Sequence, residues 1–381
     1  MKNHLNSYIL SFITKNKLIG QKILIGVSCG LDSMVLLDLL LKHREKQRLE
    51  IVVAHVHHGW RKESDQEYEF LKNFCINQKI EFYAEHLNLS KDLKDAENQS
   101  RNARYEFFEK PYHRIKASIL ILGHHKQDLE ETVIKRIHEG AHLQNLGSMT
   151  QIGLFKAMKL GRPLLDFNKN DLSAYAQVFN LTYFEDHTNY DPKFLRTRLR
   201  QDYFPVLTKV FGKNVGLSLS DLSKESVSMR DYFEKRFEHE AFISHPEARN
   251  QLFHLKGNYH LFEIQNLIIV FLKTRGLVLS KSILQSITQA FQGDPHPKNF
   301  YVKGWHLITS KGFLALFSVI SDHGETKPDW IFLEKSTSSI EKLPTWFYKR
   351  VPTIKEKNKN ILNCCISFRN VINYSDLIEV N

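Results

Sequence analysis

The sequence predicts an α/β protein: a doubly wound parallel sheet, then a helical second domain, then a small, mixed C-terminal region. Three observations predict it. Strand-like apolar runs and helix-like amphipathic runs alternate, which implies a parallel sheet covered on both faces. Residues 22–40 read as a buried β-branched strand, a tight turn of small residues and a helix. Polar and ionisable clusters follow strand ends, where ligands sit in such sheets.

The elements follow in order. Residues 3–16, with Lys2, His4, Lys15 and Lys17 around an apolar patch, form a short amphipathic helix without the features of a signal peptide. Ile23–Val27 is a strand, Ser28–Ser33 a turn, and Met34–Leu40 a helix packed on the sheet. Ile51–Val56 is a strand and Ser64–Asn77 a helix with Phe70, Leu71 and Phe74 on one face. Ile80–Leu87, Glu97–Lys110, Ser118–Gly123 and Gln127–His138 continue as strand, helix, strand and helix. Residues 139–168 are looser, with Gly140, Gly147, Gly153 and Gly161; Lys169–Phe179 is a helix. A catalytic domain over 1–215 ends after Pro205 and Gly212. The helical domain, 216–321, holds a long charged helix at 218–245, helices at Leu261–Arg275 and Ser280–Phe291, and a β-like stretch at Asn299–Val319. Residues 322–381 carry short strands at Trp330–Leu333 and Ile361–Phe368.

In 381 residues, 53 Lys and Arg outweigh 42 Asp and Glu, a net charge of +11 that suits a polyanionic partner such as nucleic acid. Cys29, Cys75, Cys364 and Cys365 form no Cys-x-x-Cys pair, so a zinc ribbon or iron–sulfur site is not expected, and a reducing cytoplasm is. No apolar run reaches the ~18 residues of a membrane span.

Five constellations carry chemistry. In Ser28-Cys-Gly-Leu-Asp-Ser33, hydroxyls and loop amides at a helix start suit phosphate oxygens. No Lys-Ser/Thr pair follows the glycine, so this is not a Walker loop. Asp32 would repel phosphate alone and makes sense with Mg²⁺ bridging to it; helix capping is the plainer reading of the same residues. His55, His57 and His58 stand at a strand end beside Gly59, Arg61 and Lys62, better suited to a nucleotide wall than to a metal. Arg101 and Arg104 share one helix face, with Tyr105 and Phe108 on the apolar side. Gly123-His-His-Lys-Gln-Asp-Leu-Glu-Glu-Thr132 places Asp128 and Glu131 together at a helix N-terminus, able to hold an ammonium group or Mg²⁺. Arg196, Arg198 and Arg200 crowd one segment that a triphosphate or an RNA backbone would match.

Together, Ser28–Ser33, His57-His-Gly59, Arg101, Arg104-Tyr105, Gly123-His-His, Asp128, Glu131-Thr132, Arg162-Pro-Leu-Leu165, Asp186, Asn189 and Arg196 resemble the tRNA(Ile)-lysidine synthetase family of pyrophosphatase-loop enzymes, over residues 22–207. The resemblance implies an adenine nucleotide alpha hydrolase-like fold and ATP with Mg²⁺. It implies ligation of free L-lysine to C2 of the wobble cytidine in the CAU anticodon of an isoleucine tRNA. An adenylated cytidine would form with release of pyrophosphate, and lysine would then displace AMP. Carried over position by position, Ser28, Cys29, Gly30, Leu31, Asp32, Ser33, Arg196 and Arg198 hold ATP, and Asp32 holds the metal. Asp32, Asp128 and Arg104 are catalytic; Asp128, Glu131 and His124 bind lysine. Residues 216–321 select the tRNA, and the cluster Lys349, Arg350, Lys355, Lys357 and Lys359 is suited to an acceptor stem. The oligomeric state stays open, a homodimer included.

The chain departs from the family pattern at Cys29, where glycine is usual, at Gln127 for Asp, and at Leu129 for Gln. A thiol at a helix entrance is expected to have a lowered pKa. Two rival readings are another tRNA-modifying enzyme of the same loop class and a tRNA-binding protein with weakened catalysis. The thiolases of that class need paired cysteines, which this chain lacks.

Overall fold

β1 (Lys22–Gly26) stands inside a six-stranded sheet, and its two neighbours decide where the functional residues meet. The computed structural model describes residues 2–57, 63–87, 96–185, 193, 195–243, 251–255, 258–274, 276–293, 296, 298–302, 304–310, 312–318, 330–332 and 365–367. The contacts divide the chain into two units, 1–226 and 227–381.

The first unit begins with α1 (Lys2–Lys15), β1, α2 (Leu31–Arg44), β2 (Glu50–His57), α3 (Glu63–Asn77), β3 (Glu81–His86), α4 (Ala96–Arg114) and β4 (Ile119–Leu122). It continues with α5 (Lys126–His138), α6 (Leu143–Leu146), β5 (Ile152–Phe155), β6 (Met158–Gly161), α7 (Lys169–Val178), α8 (Leu195–Arg198), a π-helical turn (Leu199–Tyr203), α9 (Phe204–Phe211) and the start of α10 (Val215–Glu240). Strand order is β3-β2-β1-β4-β6-β5, with all pairs parallel except β5 against β6.

Side chains alternate between two apolar layers, as strand geometry requires. Ile23, Ile25, Ile51, Val53, Ile119 and Ile121 enter one layer with α1 and α2, while Leu24, Val52, Ala54, Leu120 and Leu122 enter the other with Tyr105 and Phe108 of α4. Both faces are therefore buried, which is why these strands read as continuous apolar runs. From β1 the order runs outward to β2 and β3, then jumps to β4 on the other side of β1. The crevice beyond the carboxyl ends of β1 and β4 is the switch point, where such sheets bind ligands.

Two expectations need correction. Residues 139–168 are not loose: β5 and β6 form a hairpin that extends the sheet. Each strand has only four residues, and the turn uses Lys156 at φ 50° with no Asn-Gly signal, so no periodicity marks it. α4 runs past Lys110 and through Pro111 to Arg114; the proline forfeits one backbone bond, but the buried side of the helix holds Tyr112 in the core.

The second unit holds the rest of α10, β7 (Ala241–Ile243), β8 (Gln251–Leu255), α11 (Leu261–Lys273), α12 (Lys281–Gly293), β9 (Lys298–Val302), β10 (Trp305–Ser310) and β11 (Phe313–Ser318). β12 (Trp330–Phe332) and β13 (Cys365–Ser367) pair with each other. Its five-stranded antiparallel sheet has the order β7-β8-β11-β10-β9 and shares a core with the helices through Phe253, Leu267, Phe271, Ile287, Phe291 and Leu314. β9–β11 occupy the expected β-like stretch; β7 and β8 are further strands in the region read as helical, short and without alternation over more than a few residues.

Candidate active site

The turn after β1 is held by its own serines. Ser33 Oγ accepts from Ser28 N at 3.1 Å and donates to Gly30 O at 2.9 Å. Gly30 is the N-cap of α2 and offers it no side chain, so the capping reading does not hold for this turn, and the helix start keeps donors for an anion. Cys29 has φ 62°, a left-handed conformation that costs a non-glycine residue about 1–2 kcal/mol. Its side chain is fully buried and its Sγ donates to Glu67 O at 3.3 Å. Burial pushes the thiol well above its ordinary range, which corrects the expectation of a lowered pKa.

Gly123, at the end of β4, packs against this turn. A Cβ there would meet Asp32 C and O and Ser33 Cα at 3.2 Å, so glycine allows the close approach. Two residues on, His125 caps α5: its Nδ1 accepts from Gln127 N at 3.2 Å, and its own N–H donates to Asp128 Oδ2 at 3.0 Å. With Nδ1 accepting, a neutral ring carries its proton on Nε2, which stands 3.6 Å from Asp32 Oδ2 and 3.8 Å from Asp128 Oδ2. His125 thus stands between the phosphate-type turn and Asp128 of α5, a position that its place in the sequence does not announce. His124 next to it has a buried Nδ1 without a hydrogen-bond partner, and burial drives its pKa down to about 3, so it is neutral at neutral pH.

Asp128 and Glu131 meet two arginines from the opposite segment. Arg200 donates through Nε and Nη2 to Glu131 and through Nη2 to Asp128, both Nη2 contacts at 3.2 Å. Arg196 Nη1 is 3.6 Å from Asp128, and its Nε 3.9 Å from Glu131. Arg198 projects elsewhere, donating to Lys193 O at 3.0 Å, and is exposed. The reason is helical geometry: 196 and 200 are four apart on one face, and 198 lies between them on another. Leu199 anchors the segment in an apolar cluster with Leu129, Val133 and Ile134, which aligns the arginines with the carboxylates. The Leu129 departure therefore packs in the core, and the Gln127 side chain accepts from Lys169 N at 3.1 Å.

The environment splits the two carboxyls. Burial raises Asp128, but His125, His124, Arg196 and the His125 N–H outweigh it and bring it down to about 2. Burial raises Glu131 above its ordinary range, with Arg200 opposing. Burial likewise raises Asp32, opposed by His125. Arg104 is half-buried on α4; burial lowers its pKa, and Arg196 and Asp128 are among the charges acting on it. Its neighbour Arg101 lies 5.2 Å from the Tyr105 ring centroid. Arg162 is buried, with Nη1 donating to Thr150 O at 3.0 Å and Nε without a partner.

Asp32 Oδ1 is buried with no hydrogen-bond partner. An orphaned carboxylate oxygen beside a phosphate-type turn fits Mg²⁺, which takes one or two carboxylates and completes its shell with substrate phosphates and water. Among the described residues no group of three or more His, Cys, Asp or Glu is arranged to hold a metal by itself. His57 instead contacts Asp65 at 3.0 Å and packs on His86 at 4.2 Å between ring centroids, the two rings tilted by 36°. A cleft of about 730 Å³ opens beside the carboxylates, between His125, Glu131 and Arg200 on one side and Lys169, Phe204 and Lys209 on the other. His58, Gly59, Arg61, Lys62, Asp186, Asn189 and the cluster from Lys349 to Lys359 lie outside the described residues. No described helix is long and apolar enough to cross a membrane.

A strand, a serine-stapled turn and an aspartate at a parallel-sheet switch point define a nucleotide-binding α/β class, and residues 1–207 match the family model described as the PP-loop domain. The tRNA(Ile)-lysidine synthase of Chlamydia muridarum is 35% identical over 57% of this chain and 67% of its own. That of Chlamydia trachomatis serovar L2 is 32% identical over 70% and 83%, and that of Protochlamydia amoebophila 28% identical over 91% and 75%. Among solved structures, a U34-tRNA thiolase from Methanococcus maripaludis is similar at TM-score 0.47 and 19% identity, over 58% of this chain and 78% of that one. The chain belongs to the tRNA(Ile)-lysidine synthase family, and with it to the ATP-dependent ligases that modify tRNA.

Proposed function

We propose that this chain ligates free L-lysine to C2 of the wobble cytidine in a CAU-anticodon isoleucine tRNA. The observation that carries the reading is the bridge at His125, which holds the Asp32 turn and the Asp128 carboxylate within 4 Å of one imidazole. Such a site can hold a triphosphate on one side and an amine on the other.

In the first step the cytidine carbonyl oxygen attacks the α-phosphorus of ATP, and pyrophosphate leaves. The Ser28–Ser33 turn and the start of α2 bind the phosphates, and Arg104 and Arg196 face the α-phosphate region. Arg198, directed to Lys193, is left to a contact outside this centre. Asp32 would hold Mg²⁺ through its unpartnered Oδ1, and the ion, when bound, would supply positive charge against the leaving phosphates. In the second step the lysine ε-amine attacks C2, and the C2–O bond breaks to release AMP.

The amine must be neutral to attack. Arg196 and Arg200, already seated on Asp128 and Glu131, offset the pull of those carboxylates on a further cation and so oppose a rise in the ammonium pKa. Asp128, held ionised, orients the amine, and Glu131, made the more basic of the two by its burial, accepts its proton. The wobble base must leave its stack to reach the site. We assign tRNA selection to the region after residue 215 and place the enzyme in the cytoplasm, where its three substrates are found.

The test is incorporation of labelled lysine into the CAU-anticodon isoleucine tRNA by the purified chain. Transfer should need ATP and Mg²⁺ and yield equal AMP and pyrophosphate. Tight tRNA binding without transfer would instead favour the weakened binding protein.

A further inference from the structure

The cleft beside Glu131 contains a second carboxylate that the reaction outlined above does not use. Glu130 is 8% exposed, although it follows Leu129 and precedes Glu131 on a helix whose other faces are spoken for. Its carboxylate lies against the start of α10, packed on the backbone at Gly216, where a Cβ would stand 2.3 Å from Glu130 Oε2 and would have to displace the carboxylate. Among the described residues its one hydrogen bond, from Ser220 Oγ, is long at 3.4 Å. A buried carboxylate with so little donation is costly, and an ammonium group offers three donors.

Successive helix positions diverge by about 100°, so Glu130 and Glu131 line one cleft while pointing apart. Glu131 and His125 face the Asp32 and Asp128 side, where the chemistry is proposed. Phe204 and Pro205 provide an apolar wall. Lys209, exposed on α9, and Lys169, at the start of α7, bring positive charge to the same cleft. A ligand complementary to this arrangement has a cation at each end, an apolar stem between them and one carboxylate. Free lysine has that form.

We infer that the α5–α9 cleft takes lysine lengthwise, its ε-amine at Glu131, its α-ammonium on Glu130 and its α-carboxylate on Lys209. The inference rests on the lysine-ligase reading and adds the residues that recognise the amino-acid head. Glu130 is then a specificity residue: it separates lysine from amines that lack an α-amino group.

The test uses the full chain, Glu130→Gln and Lys209→Met, with lysine, 6-aminohexanoate (no α-amino group) and cadaverine (no carboxylate). Glu130→Gln should lower kcat/KM for lysine by ~10-fold or more, chiefly through KM, as loss of a charge-assisted contact does. It should leave 6-aminohexanoate and the ATP-dependent release of pyrophosphate unchanged. Lys209→Met, at an exposed position that threatens no fold, should weaken lysine and spare cadaverine. Equal losses on lysine and 6-aminohexanoate, or no loss, overturn the assignment while leaving the ligase reading intact. Calorimetric binding of lysine separates the remaining cases. A chain that binds lysine through Glu130 without transferring it upholds the cleft against the ligase reading, and a chain that neither binds nor transfers it ends both.

Discussion

Arg200 spans two of the three carboxylates of α5, Glu131 and Asp128: its Nε and Nη2 bond Glu131, and the same Nη2 bonds Asp128 at 3.2 Å. Glu131 is almost wholly buried whereas the arginine side chain is one-third exposed, so the protein depends on this contact more for the acid than for the base. Arg200→Met keeps bulk and removes the charge. Unfolding free energy should fall by about 1–2 kcal/mol, the cost of an unpaired buried acceptor discounted for solvent and for Arg196 nearby. Urea denaturation reads this; a stability equal to the parent's would show that the bridge contributes nothing.

Lysine transfer should carry an acid limb from Glu131. A proton acceptor works only when ionised, so the rate rises with pH through the Glu131 midpoint. Burial places that midpoint above the ordinary 4.5. Glu131→Gln should remove the limb from the pH profile of the single-turnover lysine step. His124, held near 3, should contribute none at higher pH, so a limb that survives Glu131→Gln would point to another base.

Asp32→Asn should abolish pyrophosphate release and leave tRNA affinity intact, because the change deletes the charge of the orphaned oxygen and keeps the shape of the α2 start. Filter binding alongside pyrophosphate release gives both readings. Persistent ATP cleavage would mean that the turn does not hold the triphosphate.

Asp128→Asn should weaken lysine use more than ATP use. Asparagine can still accept from the His125 N–H, so the cap of α5 survives while the charge is lost. Separate KM values for lysine and ATP decide it; a parallel rise in both would remove Asp128 from the lysine side.

Cys29 sits at φ 62° in a fully buried place, so two substitutions should behave differently. In Cys29→Gly, relief of about 1–2 kcal/mol of backbone strain is offset by ~1 kcal/mol of lost burial and added chain entropy, leaving stability nearly unchanged. Cys29→Val places a β-branched residue in the left-handed region and should destabilise by about 1–3 kcal/mol. Thermal unfolding of the pair tests the conformation, and equal stability of both would argue for a negative φ.

Much of this molecule is written in local patterns. Ile23, Leu24 and Ile25 announce a strand buried on both faces, Ser28–Ser33 a phosphate-type turn, and Asp128 with Glu131 a shared helix face. The pairing of Arg196 with Arg200 was also within reach, since positions four apart share a helix face. The hairpin at β5 and β6 was not, because four-residue strands around a turn at Lys156 carry too few residues to show a period.

By itself, then, the sequence determined the alternating α/β architecture and the chemical types at each strand end, because backbone periodicity and turn chemistry act over a few neighbouring residues. Only the tertiary structure decided that His125 bridges Asp32 and Asp128, that Arg200 covers Glu131 while Arg198 turns away, and that Glu130 opens into a cleft. It also decided that the Cys29 thiol is pushed up and not down. Those outcomes depend on burial and on distances between segments far apart along the chain, and no local pattern encodes either.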